Sequence, residues 1–154
     1  VAWLKKQLSF QTIGPDKLNQ LRHMRFFRDE DGIKAHMVKH AAIIKPKFDL
    51  VLEMLEASLG GKNLASWSKP QGGYFISLDT LPGCAKKVVA KAAQAGVVLT
   101  PAGATYPYGQ DPEDKNIRIA PTFPPLEELK QAMELVVLCL QLVSLEQELE
   151  HRGL

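Results

Sequence analysis

The sequence has few cysteines, no long apolar run and no excess of either charge. Only Cys84 and Cys139 occur in 154 residues, far apart and in no metal or redox spacing. That excludes a disulfide scaffold and a zinc ribbon, and a reducing, cytoplasmic setting is the expectation. A formal net charge of +2 supplies no basic field for nucleic acid. No stretch reaches the ~20 apolar residues that span a bilayer, so no membrane partner is expected. The longest apolar region, Leu135 to Leu145, is interrupted by Gln141 and Ser144. The sequence also lacks a GxSxG elbow, a P-loop and a GxGxxG turn.

What is present is the composition of an ordinary globular domain, 45% hydrophobic and 23% charged. The chain opens on Val1 without Met, and Trp3, Leu4 and Leu8 already stand at helical spacing. We therefore expect a segment of a longer protein. Gly14-Pro15 marks a turn, and Asp16 can cap a short helix with Leu18, Leu21 and Met24 on one face. Asp29-Glu30-Asp31 suits the positive end of the next helix. There Ile33, Met37, Ile44, Phe48, Val51, Leu52 and Leu55 keep helical spacing through to Leu59. Pro46 predicts a kink or a break, and Gly60-Gly61 stops the helix. An element this long suits a bridge between two bodies.

From Ala65 the period changes to two. Trp67 and Tyr74 to Leu78 predict strands around a Pro70-Gln71-Gly72-Gly73 turn. Ala85 to Ala95 predicts a helix with Val88, Val89, Ala92 and Ala93 inward. Val97-Val98-Leu99-Thr100 predicts a buried strand, Pro101 to Asp114 a loop, and Ile117 to Ala120 a further strand. Pro124-Pro125 opens the last helix, whose apolar residues form two stripes. One holds Leu126, Leu129, Met133, Val136, Val137, Leu140 and Val143; the other holds Leu135, Leu138, Leu142, Leu145 and Leu149. A helix apolar on both sides must be covered on both. The element order indicates an α/β (α+β) fold, a short sheet with helices packed on it.

Few side chains stand out for chemistry. His36 and His40 share a helix face at i, i+4 but lack a third ligand, and read as solvated. Cys84 and Cys139 read as buried small hydrophobes. Arg118 differs. It sits between Ile117 and Ile119, so alternation sends it to the opposite face with Asn116 and Ala120. An arginine there can present a fork that matches a carboxylate bidentately. The plainer reading pairs it with Asp111 or Asp114.

Several motifs then occur in order. Thr100-Pro101-Ala102-Gly103-Ala104-Thr105-Tyr106, Gly109 and Asn116-Ile117-Arg118-Ile119-Ala120 resemble the carboxylate-binding region of fold type I, pyridoxal-phosphate-dependent aminotransferases. Pro70-Gln71-Gly72-Gly73-Tyr74-Phe75 is similar to the Pro-x-Gly-Gly-Tyr/Phe-Phe strand of the same family. Ile13-Gly14-Pro15-Asp16-Lys17-Leu18-Asn19-Gln20-Leu21-Arg22-His23 and Ile119-Ala120-Pro121-Thr122-Phe123-Pro124 resemble the aspartate/alanine-type, MocR-related branch. The loop departs from the family's Pro-Gly-Ser in reading Pro-Ala-Gly-Ala.

The resemblance implies the C-terminal part of such an enzyme. Residues 1–30 would be the tail of the large cofactor-binding domain, 31–60 the interdomain helix, and 61–154 the small C-terminal domain. It implies pyridoxal 5′-phosphate, an electron sink for a carbanion at Cα, held by a lysine upstream of these residues. Lys69, in Ser66-Trp67-Ser68-Lys69-Pro70, looks superficially similar but falls in the wrong domain. Arg118 would hold the substrate α-carboxylate, with Tyr106, Gly14, Pro15 and Asn19 as possible site-lining residues and Tyr108 near the cleft mouth. An amino acid and a 2-oxo acid would be the substrates and a homodimer the assembly. Lacking the lysine, the chain alone would be inactive and bind no cofactor covalently. Two other readings stay open: an orphan small domain acting as an interaction module, and a lyase of the same fold.

Overall fold

A computed structural model describes residues 1–12 and 14–153. Ile13, which opens the Gly-Pro turn segment, and Leu154 lie outside the described residues. The chain divides into two units, Val1–Ile43 and Ile44–Leu154.

The first unit holds α1 (Ala2–Gln11), α2 (Lys17–Phe27) and the first part of α3 (Glu30–Leu59). Asp16 caps α2 as its sequence position predicts, its carboxylate accepting the Asn19 N–H at 3.0 Å. Asp29 does the same for α3 through the N–H of Gly32 at 2.9 Å. The corner between α2 and α3 is tight. A β-carbon on Gly32 would lie 1.8 Å from the Phe27 carbonyl oxygen, so only glycine fits. Nothing in α1 or α2 is buried. Trp3, Phe10, Leu18, Met24 and Phe26 are all more than half exposed.

Helix α3 runs on through Pro46 as one element of 30 residues, so no break occurs there. Proline supplies no N–H, which leaves the Ala42 carbonyl without its usual donor. The two units divide one residue beyond that carbonyl, between Ile43 and Ile44.

The second unit carries the core. Strands β1 (Ala65–Trp67), β2 (Ile76–Thr80) and β3 (Asn116–Ile119) form an antiparallel sheet in that spatial order. Register aligns Trp67 with Leu78, and Leu78 with Ile117. Opposed residues share a face. Ile76, Leu78, Ile117 and Ile119 therefore form one buried side. Phe48, Val51, Leu55 and Leu59 of α3 pack there, with Val88 of α4 (Ala85–Gln94) and Met133, Val136 and Leu140 of α5 (Leu126–Arg152). Burying one such side chain is worth roughly 1.5–3 kcal/mol. Polar ties fix the helices: Gln141 Nε2 donates to the Ser58 carbonyl at 3.2 Å, and Lys91 pairs with Glu146 at 2.8 Å. The architecture is the mixed α/β fold that the element order indicates.

Two expectations are corrected. Val97 to Thr100 is not a strand: it joins no sheet among the described residues, and Val98 is 89% exposed. Val97 and Leu99 pack against the core as irregular chain after α4. The second strand runs two residues later than predicted, through Asp79 and Thr80. On α5 the first stripe is buried except Leu126, while Leu138, Leu142, Leu145 and Leu149 stay exposed.

Candidate functional site

The second face of the sheet is polar. Ser77 lies opposite Arg118, and Asp79 opposite Asn116. Asn116, buried, organises the middle. Its amide donates to Ser77 Oγ at 2.8 Å and to Asp79 at 2.6 Å, and its carbonyl oxygen accepts from the Thr105 hydroxyl at 2.6 Å. The loop between α4 and β3 is thereby stitched to the sheet two residues from Arg118.

Asp111 sets where β3 begins. Its carboxylate accepts the N–H groups of Lys115 and Asn116, each at 2.8 Å, and of Glu113 at 3.1 Å. Burial alone pushes its pKa up. The N–H donors of Asn116, Lys115 and Glu113, with the charge of Lys115, outweigh that and hold it below the ordinary carboxylate value. Gly103 lets the loop fold back on itself. At φ +80° it places its α-carbon so close that an added β-carbon would meet the Gly109 carbonyl oxygen at 2.6 Å.

Arg118 is half-buried at the end of this face. Its guanidinium lies over the Phe75 ring, Cζ 4.4 Å from the centroid. The buried Nε has no hydrogen-bond partner. Among the described residues no carboxylate reaches Arg118: Asp111 is spent on backbone N–H groups, and Asp114 lies 4.0 Å from Lys86. The plainer pairing is thus not made.

The other residues named from the sequence fall in separate places. Tyr106 is half-buried and adjoins Thr105, its N–H donating to the Gly103 carbonyl at 2.9 Å. Tyr108, in a short 3-10 turn at Pro107–Gly109, is 98% exposed at φ +58°. Gly14, Pro15 and Asn19 belong to the first unit, where Thr12 Oγ1 donates to the Gly14 carbonyl at 2.9 Å. Lys69 is exposed and pairs with Glu56 at 3.1 Å. His36 packs edge-on against Phe26 and Phe27 and stacks with His40. Among the described residues no three His, Cys, Asp or Glu side chains gather to hold a metal ion. Both cysteines are free and buried. Burial pushes the Cys84 thiol pKa up, against the opposing charge of Lys87, and its Sγ donates to Gln147 Oε1. Phe75 stood in the motif without a role; its contact with Arg118 depends on strand register, which a single sequence does not reveal.

A strand bearing an arginine, in a small antiparallel sheet packed against long helices, is an arrangement this chain shares with solved aminotransferases. The aspartate amino-transferase family model matches residues 1–152, and the chain belongs to that family. It is 49% identical over 144 residues to the aspartate aminotransferase of Corynebacterium glutamicum, covering 94% of this chain and 33% of that one. A protein of Mycolicibacterium smegmatis named as an aminotransferase is 52% identical over 146 residues, covering 95% and 34%. The crystal structure of a Corynebacterium glutamicum aspartate transaminase matches with a TM-score of 0.86 at 49% identity, over 95% of this chain and 34% of that one. Pyrococcus horikoshii kynurenine aminotransferase, solved in complex with PMP, shares the fold at 24% identity and a TM-score of 0.61, over 70% and 26%. The chain spans about a third of the length of the curated relatives it matches.

Proposed function

We propose that these residues serve a pyridoxal-phosphate-dependent aminotransferase that moves an amino group between an amino acid and a 2-oxo acid, with Arg118 holding the substrate α-carboxylate. One observation carries the role: a half-buried guanidinium with no acid within salt-bridge distance among the described residues. A partly desolvated cation without an anion bears a cost, and a ligand carboxylate offsets it.

The residues present do not fit covalent attachment of the cofactor. A Schiff-base lysine is activated by desolvation, whereas every lysine here is exposed or half-buried, and Lys69 is tied to Glu56. We therefore assign attachment to parts of the polypeptide beyond these residues. Arg118 contributes positioning: a bidentate grip fixes the substrate backbone and the direction of its Cα–H bond. Tyr106 and the Gly14-Pro15-Asn19 turn are assigned to the site margin by resemblance.

We place the protein in the cytoplasm as a homodimer. Two free thiols support a reducing compartment. The apolar side chains exposed on α1 and α2 support burial against the rest of the assembly. No helix among the described residues is long and apolar enough to cross a membrane.

The test is substrate affinity in the full-length protein. Arg118→Ala should cost roughly 2–5 kcal/mol of amino-acid binding, and Arg118→Lys should restore only part of it. Unchanged affinity in Arg118→Ala would remove Arg118 from the site.

A further inference from the structure

We propose that Phe75 is a positioning residue for Arg118, its ring setting the plane of the guanidinium so that the outer N–H edge stays open to a ligand carboxylate. This rests on the carboxylate role of Arg118 proposed above.

The placement follows from the sheet. Ser77 lies directly opposite Arg118, and Phe75 stands two residues before Ser77. Ser77 and Arg118 project from one face, and Phe75, just before β2, meets Arg118 there. The arginine Cζ settles 4.4 Å from the ring centroid. Contacts within ~6 Å of a ring centroid are attractive.

What distinguishes the arrangement is how the arginine is held. A guanidinium is commonly oriented by a carboxylate, which consumes the same donors a ligand needs. A π face orients the cation through its quadrupole and consumes none. The five N–H donors lie in the guanidinium plane, so a cation held over a ring face keeps them for a ligand at its edge. Nε is buried without an acceptor, which leaves the terminal nitrogens as the ligand-facing pair. Phe75 is 46% exposed, so the ring acts as a wall at the margin of the face and not as core. An aliphatic side chain would fill its volume without orienting the cation.

The experiment is a double-mutant cycle in the full-length holoenzyme. It uses L-aspartate and 2-oxoglutarate for kcat/KM, and calorimetric titration with succinate, an unreactive dicarboxylate, for binding. Phe75→Leu should weaken both about five- to tenfold, as expected for loss of a partly desolvated cation–π contact. Most of the kinetic loss should fall in KM. Phe75→Tyr, which keeps the ring, should stay within about twofold of wild type. In an Arg118→Ala background Phe75→Leu should change neither quantity, because it acts only through Arg118. An Arg118→Ala enzyme as good as wild type in turnover and in succinate binding overturns the reading on which this rests. Impaired Arg118→Ala with unimpaired Phe75→Leu, or with equal Phe75→Leu losses in both backgrounds, overturns the role of Phe75 alone. A Phe75→Leu protein that fails to fold shifts the decision to Phe75→Tyr and Phe75→Trp: a tenfold loss in both folded variants overturns the role, and retention in either supports it.

Discussion

The Asp111 carboxylate accepts the Asn116 N–H at 2.8 Å, so the first residue of β3 is fixed by a side chain five positions upstream. Asn116 in turn joins Thr105, Ser77 and Asp79. The approach to Arg118 is thus built from one acid and one amide, both buried.

Replacing that acid should change how stability responds to pH. The Asp111 pKa is lowered in the folded chain from its ordinary value of 3.8. Such a group contributes stability in full above the ordinary value and loses it as pH falls through the lowered one. Asp111→Asn should therefore be less stable than wild type at neutral pH. The gap should close on acidification below 3.8. Urea unfolding of both proteins at several pH values measures it; a gap independent of pH would show that the charge contributes nothing.

Gly103 and Gly109 make a matched comparison. Both have positive φ, at +80° and +69°, but only at Gly103 would a β-carbon strike backbone. Gly109→Ala should cost about 1–2 kcal/mol for the left-handed conformation alone. Gly103→Ala should cost more, and should weaken amino-acid binding as the loop moves off Asn116. Equal losses in thermal unfolding would argue that the loop simply relaxes around the added methyl.

Cys84 should be a slow nucleophile. Its thiol is buried, its pKa is raised, and its Sγ donates to Gln147. Thiolate is the reactive form, so alkylation by iodoacetamide should be slow in the folded protein at neutral pH and fast after denaturation. Gln147→Ala should speed the reaction only if it opens the site to solvent. Rapid labelling of the native protein would mean that Cys84 is reached by local opening.

Much of this is legible in the sequence, and the exceptions share a cause. The first stripe of α5, the Asp16 cap and the alternation placing Arg118 on the face away from Ile117 and Ile119 all follow from local periodicity, and the structure shows each, whereas the second stripe stays exposed. The run Val97 to Thr100 misled because apolar residues mark contact with the core, whereas strand formation needs a neighbour to pair with, and the sheet offers none there. Asp79 and Thr80 carry the second strand past its apolar run, and both pair across the sheet. Phe75 and the Thr105–Asn116–Ser77 network depend on register, which is set by partners far along the chain. Motif order led to the family; geometry alone shows that Asp111 and Asp114 leave Arg118 without an acid.

Pro46 bears on how the chain opens to solvent over time. The Ala42 carbonyl lacks its i+4 donor, and no described residue before it is buried, while those after it enter the core at Phe48 and Val51. Amide hydrogen exchange should therefore step along α3, with amides before residue 43 exchanging by local fraying and those beyond Phe48 only when the sheet and α5 open together. A single helix would report two different opening free energies from its two ends.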